Sequence, residues 1–105
     1  MGYNLEVTRK ASQHVDKLVA YLLDPLKNGK AASHFLSGVD EVYARLEEDP
    51  WQFPACTDYV LRKKEYRKAK IPGMSYVVIY QVDKDIRTVY VMGIFHELEN
   101  YGIKL

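Results

Sequence analysis

The sequence is short of the devices that usually hold small or membrane-bound proteins in place. Its 105 residues contain one cysteine, Cys56. A lone cysteine closes no intrachain disulfide and builds no zinc site, so packing must stabilise the fold. Long apolar runs are missing too: the longest stretches, such as Tyr76 to Tyr80, are only a few residues, far below what a bilayer crossing needs. Met1-Gly2-Tyr3-Asn4 shows no basic region leading into an apolar stretch, and the expected location is therefore cytoplasmic. No glycine-rich phosphate loop and no cluster of metal ligands is visible, so neither cofactor nor metal is expected. The length suits one domain, residues 1–105, with one core.

A formal net charge of +1 hides an uneven distribution. Residues 62–70, Arg-Lys-Lys-Glu-Tyr-Arg-Lys-Ala-Lys, set six cations against Glu65, a local +5, while the remaining 96 residues carry 9 basic and 13 acidic side chains. A cationic patch on a mildly acidic body fits a protein that meets a polyanion or an acidic partner along one surface. The plainer alternative is an edge strand whose lysines discourage aggregation.

Tyr3, Leu5 and Val7 alternate with polar residues as in a half-buried strand. Thr8 then offers an N-cap. Ala11, Val15, Leu18, Val19 and Leu22 form an apolar helical stripe ending at Asp24-Pro25, and after the Asn28-Gly29 turn signal Phe35, Val39, Val42 and Leu46 form a second, ending at Asp49-Pro50. These predict a helical hairpin. Tyr59–Leu61, Tyr66–Ile71, Ser75–Val82 and Thr88–Ile94 are rich in residues that suit a sheet, with Pro72-Gly73 and Asp83-Lys84-Asp85 as turns between the later ones. Trp51, Phe53 and Pro54 are expected to plug the seam between layers. The expected fold is a two-layer α+β domain: an N-terminal strand and helical hairpin on a mainly antiparallel, three- or four-stranded C-terminal sheet, whose opposite face is free for function.

This order of elements, with Glu48-Asp49-Pro50, Tyr66-Arg67-Lys68-Ala69-Lys70-Ile71, Tyr76-Val77-Val78-Ile79-Tyr80-Gln81-Val82 and Ile94-Phe95-His96-Glu97-Leu98-Glu99-Asn100-Tyr101, resembles the RelE/ParE toxins of bacterial type II toxin-antitoxin systems. The resemblance covers nearly the whole chain and implies their fold. It implies two kinds of target: RelE-like toxins cut mRNA on the ribosome, and ParE-like toxins act on DNA gyrase without hydrolysis. The leading expectation is a metal-independent, ribosome-dependent mRNA endonuclease; the alternatives are a gyrase inhibitor, or a binding module that has lost activity. A cognate antitoxin is the implied partner of all three.

Cleavage of RNA without metal requires a base for the 2′-hydroxyl, cations for the phosphorane and an acid for the leaving oxygen, all on one surface. Strand alternation puts Tyr66, Lys68 and Lys70 on one side and Arg67, Ala69 and Ile71 on the other. Lys68 and Lys70 match the paired lysines of RelE-like toxins, His96 the histidine that follows their last strand, and Tyr101 their C-terminal tyrosine. Glu97 is a candidate base beside His96. Arg62, Lys64 and Arg67 are candidate grips on RNA backbone. Each has a plainer reading: solvated cations for the basic residues, a backbone cap for His96, tail packing for Tyr101, a solvated carboxylate for Glu97. His14 and His34 are explained by helix-surface positions. Two arginines of the RelE-like pattern are missing, one where Val77 stands and one after His96, where Glu97 and Leu98 follow.

Overall fold

The computed structural model describes residues 2–24 and 27–105; Met1 and the proposed stop at Pro25 lie outside them. The chain begins with β1 (Asn4–Val7) and turns through Thr8, whose side chain accepts the Ala11 N–H at 3.2 Å, into α1 (Arg9–Leu23). Asn28 caps α2 (Gly29–Glu48) in the same way. A 3₁₀ turn, Pro50–Gln52, and a short helix α3 (Tyr59–Lys63) lead to β2 (Arg67–Lys70), β3 (Tyr76–Asp83) and β4 (Thr88–His96), and a second 3₁₀ turn, Tyr101–Ile103, follows.

The four strands form one mixed sheet in the order β1-β4-β3-β2. The last three make the expected antiparallel meander, and β1 lies parallel to β4, with Leu5 opposite Val89 and Val7 opposite Val91. A bulge on β4 falls between the pairs Ile79/Gly93 and Tyr80/Val91. It re-phases β4, so that Val89, Val91 and Ile94 all reach the helix-covered core.

That core lies where the two helical stripes meet the sheet. Ala11, Phe35, Val42, Leu46, Ala69, Ile71, Val78 and Tyr80 are buried in it, and the removal of this apolar surface from water is the main force holding the layers together. Gly38 on α2 lets the helix approach the sheet: a Cβ there would sit 2.4 Å from the Cγ2 of Ile71. At the seam, Tyr80 donates its hydroxyl to the Pro50 carbonyl at 2.6 Å, and Phe53 meets the Tyr80 ring edge-on.

Three expectations need correction. Residues 59–61 are helical: Asp58 caps them, its Oδ1 accepting the N–H groups of Val60 and Leu61, and only Leu61 is buried while Tyr59 is 76% exposed. Their β-type composition yields to the cap because no neighbouring strand is there to pair with. Trp51 does not plug the seam; it stands 44% exposed at the surface, its indole N–H bonded to the Tyr3 hydroxyl at 3.0 Å. Finally, the sheet face opposite the helices is not free. Cys56, Leu61, Tyr66, Val77, Ile79 and Phe95 form a second buried cluster on it, with Met92, Tyr101 and Leu105 partly buried against them.

Candidate functional site

The cationic segment 62–70 begins on α3 and continues along β2, the sheet's edge strand. Its outer edge is partly covered: Lys68 N–H donates to the Pro54 carbonyl at 3.0 Å and Cys56 N–H to the Tyr66 carbonyl at 2.9 Å. Alternation along β2 places Lys68 and Lys70 on the face of the second cluster, as expected, with Lys68 half-buried and Lys70 exposed. Burial pushes the neighbouring Cys56 thiol up, which keeps it protonated and unreactive.

Around Lys70 two of the expected residues come together. Its Nζ lies 3.9 Å from Glu97 Oε2, an exposed contact, with the Glu97 N–H anchored on the Ser75 carbonyl at 2.9 Å. Val77, opposite Lys70 in the register, is 2% exposed and packs beside Phe95, so the position of the absent arginine is occupied by core. Tyr101 lies on this same face, its ring stacked on Phe95 with centroids 5.6 Å apart.

His96 is placed differently. It pairs with Tyr76, and its ring meets Tyr76 edge-on at 5.5 Å; Tyr76 in turn meets Phe35 of α2, on the helix-covered side. Its Nδ1 accepts the Leu98 N–H at 3.1 Å, while the His96 N–H donates to Glu99 Oε1 at 3.1 Å. The histidine is thereby built into the turn that leaves β4. Hydrogen bonds from Lys104 and from the His96 backbone hold the Glu99 carboxyl below the usual carboxylate range.

His14 is not a plain surface residue. It is half-buried and its Nδ1 accepts the Ile94 N–H at 3.1 Å, satisfying β4 beyond the reach of β1. Burial, with Lys10 and Lys17 nearby, lowers its pKa. Nothing in the local sequence announces this contact, since 80 residues separate the partners. His34 is exposed, as expected.

The three expected phosphate-gripping residues gather elsewhere. Arg62, Lys64 and Arg67 line an open groove of about 720 Å³ together with Trp51, Lys84 and Tyr90. Arg67 is committed to structure: its Nε donates to the Phe53 carbonyl at 3.1 Å, one terminal nitrogen to the Trp51 carbonyl at 3.3 Å, and its guanidinium lies 5.2 Å from the centroid of the Trp51 ring. Arg62 and Lys64 are exposed. Among the described residues no group of three or more His, Cys, Asp or Glu side chains is arranged to hold a metal ion, and no helix is long and apolar enough to cross a membrane.

Residues 5–101 match the family model described as the ParE toxin of the type II toxin-antitoxin system, parDE. The chain belongs to the ParE toxin family. Its backbone is similar to a chain of the chromosomal ParDE toxin-antitoxin system from P. aeruginosa, with a TM-score of 0.71 at 15% identity, covering 90% of this chain and 95% of that one. It is also similar to a chain of the toxin-antitoxin complex RelBE2 from Mycobacterium tuberculosis, with a TM-score of 0.58 at 17% identity and coverage of 94% and 95%. No curated protein matches the sequence. At these identities the structural likenesses establish the RelE/ParE-like fold, and the toxin assignment rests on the family match.

Proposed function

We propose that this toxin acts by binding, with DNA gyrase as its target, and that it is held inactive by a cognate antitoxin. The observation that carries the first part is the division of the candidate residues. Lys68, Lys70, Glu97 and Tyr101 share one sheet face, whereas His96 turns toward Tyr76 and spends its Nδ1 on Leu98. A general acid or base must reach the proton it moves, and here the His96 Nδ1 is spent on the turn and its ring faces Tyr76, on the opposite face of the sheet from the lysines. Membership in the ParE family supports the gyrase target. The antitoxin is supported by the two structural relatives, which come from ParDE and RelBE toxin-antitoxin systems.

One observation favours the mRNA endonuclease as a second reading. Lys70 and Glu97 bring a cation and a carboxylate within 3.9 Å, a minimal pair for proton transfer and phosphate contact. The two readings separate in one pair of assays. Purified toxin is expected to block DNA supercoiling by gyrase while leaving a reporter mRNA intact in a translation extract. Ribosome-dependent cuts, mapped by primer extension and lost in Lys70→Ala and Glu97→Ala, with gyrase unaffected, would overturn the proposal.

A further inference from the structure

The sheet has a gap one strand-turn long. β3 runs for eight residues but β2 pairs only with Val77 to Tyr80. The Ile71 N–H donates to the Tyr76 carbonyl at 2.9 Å, which sets the phase: Tyr76, Val78 and Tyr80 turn their backbone groups toward β2. Val82 is next in that series. Its partner in the register would be Glu65, but Glu65 has φ +62 and its N–H closes a turn onto the Arg62 carbonyl at 2.9 Å. The chain therefore enters β2 too late to reach Val82. Among the described residues no group hydrogen-bonds to the Val82 N–H or carbonyl, and Val82 lines the 720 Å³ groove.

We infer that this gap receives an extended segment of the antitoxin, bearing at least one carboxylate, which pairs with Val82 as a short added strand. An N–H and a C=O offered by one residue of a strand edge are matched by the main chain of another peptide. The surrounding side chains suit a peptide: Trp51, Arg62 and Tyr90 are of the types that anchor protein interfaces. Arg62, Lys64 and Lys84 form no ion pair among the described residues, so their charge is available to an incoming acid. Three acids also line the groove: Glu65, Asp85 and Asp83, whose Oδ1 accepts the N–H groups of Asp85 and Ile86. Three carboxylates oppose a run of phosphates far more than they oppose a peptide with one acid. The inference rests on the antitoxin reading and is independent of the toxin's target.

The test uses the toxin co-expressed with the product of the adjoining reading frame as the antitoxin. Size-exclusion chromatography reports whether a complex forms, and amide exchange followed by NMR reports Val82. Exchange at Val82 is expected to slow at least tenfold in the complex, with intermolecular amide contacts at that residue. An Arg62→Glu, Lys64→Glu double variant, shown folded by circular dichroism, is expected to weaken the complex at least tenfold. A stable complex with unchanged exchange at Val82 would overturn the added strand and leave the antitoxin reading standing. Absence of any complex would overturn both. A twelve-nucleotide RNA that shifts the Val82 resonance when the antitoxin does not would also overturn it, assigning the groove to nucleic acid.

Discussion

The Nδ1 of His96 accepts the Leu98 amide at 3.1 Å, which makes this histidine a support of the turn leaving β4. His96→Ala removes the acceptor and is expected to lower stability by about 0.5–1.5 kcal/mol. Gyrase inhibition by the variant should stay within about twofold of the wild type. A general acid or base of an RNase would instead contribute about 10²- to 10⁴-fold. Paired thermal melts and supercoiling assays distinguish the two.

His14 predicts an acid limit to stability. Burial and nearby lysines lower its pKa, so the folded protein favours the neutral ring that accepts the Ile94 N–H. Between the lowered folded pKa and the unfolded value of about 6.5 the unfolded chain binds more protons, and stability rises with pH. Its contribution is fully present above about pH 6.5 and is lost as pH falls through the folded pKa. Denaturant midpoints of wild type and His14→Ala, followed from neutral pH down into the acid range, should converge at the acid end. Parallel curves would contradict the assignment.

An alkaline limit follows from Tyr80 and Tyr43. Burial pushes both phenols up to about 12, and Tyr80 donates to the Pro50 carbonyl. Because these folded pKa values exceed the unfolded value of about 10, the folded state holds its protons longer and stability falls as pH rises from about 10 to about 12. Tyr80→Phe should flatten part of that fall. At neutral pH it should cost about 1–3 kcal/mol, since the Pro50 carbonyl loses its donor. Urea titrations at pH 7 and at alkaline pH test both parts.

Gly38→Ala tests how closely α2 approaches the sheet. Alanine improves helix propensity by about 1 kcal/mol, but its Cβ would stand 2.4 Å from Cγ2 of the fully buried Ile71. Overpacking of this kind costs about 1–3 kcal/mol, so the net expectation is a lower melting temperature. Ile71→Ala deletes the clashing Cγ2 methyl, so in a double-mutant cycle Gly38→Ala should cost less in the Ile71→Ala background than in the wild type. A stabilised single variant would show that the helix shifts outward instead.

Much of the fold was legible because it is written in local periodicities. The stripes through Ala11–Leu22 and Phe35–Leu46 and the alternation on either side of Asp83-Lys84-Asp85 each lie within one element or hairpin. Residues 59–61 were misread because Tyr-Val-Leu has the composition of a strand, while the deciding group, the Asp58 side chain, lies outside the run. The second cluster escaped notice for another reason: Cys56, Leu61, Val77 and Phe95 come from four separate segments and share no spacing. In the site, alternation correctly put Lys68 beside Lys70. It said nothing of His96, whose orientation follows from the β4 bulge and the turn at Leu98. Trp51 and Lys84 were not read as neighbours of Arg62, because only the folded chain brings the end of α2 and the last hairpin to one groove.

The parallel pairing of Asn4–Val7 with Thr88–Val91 also bears on synthesis. β1 finds its partner in β4, 84 residues later by register, so the sheet cannot close before β4 has been made. Contacts this distant in sequence slow folding, and the nascent chain meanwhile carries an unfinished core. β4 is the strand that joins β1 to the rest of the sheet and carries Phe95, on which Tyr101 stacks, so the face bearing Lys70, Glu97 and Tyr101 cannot exist before that strand is in place.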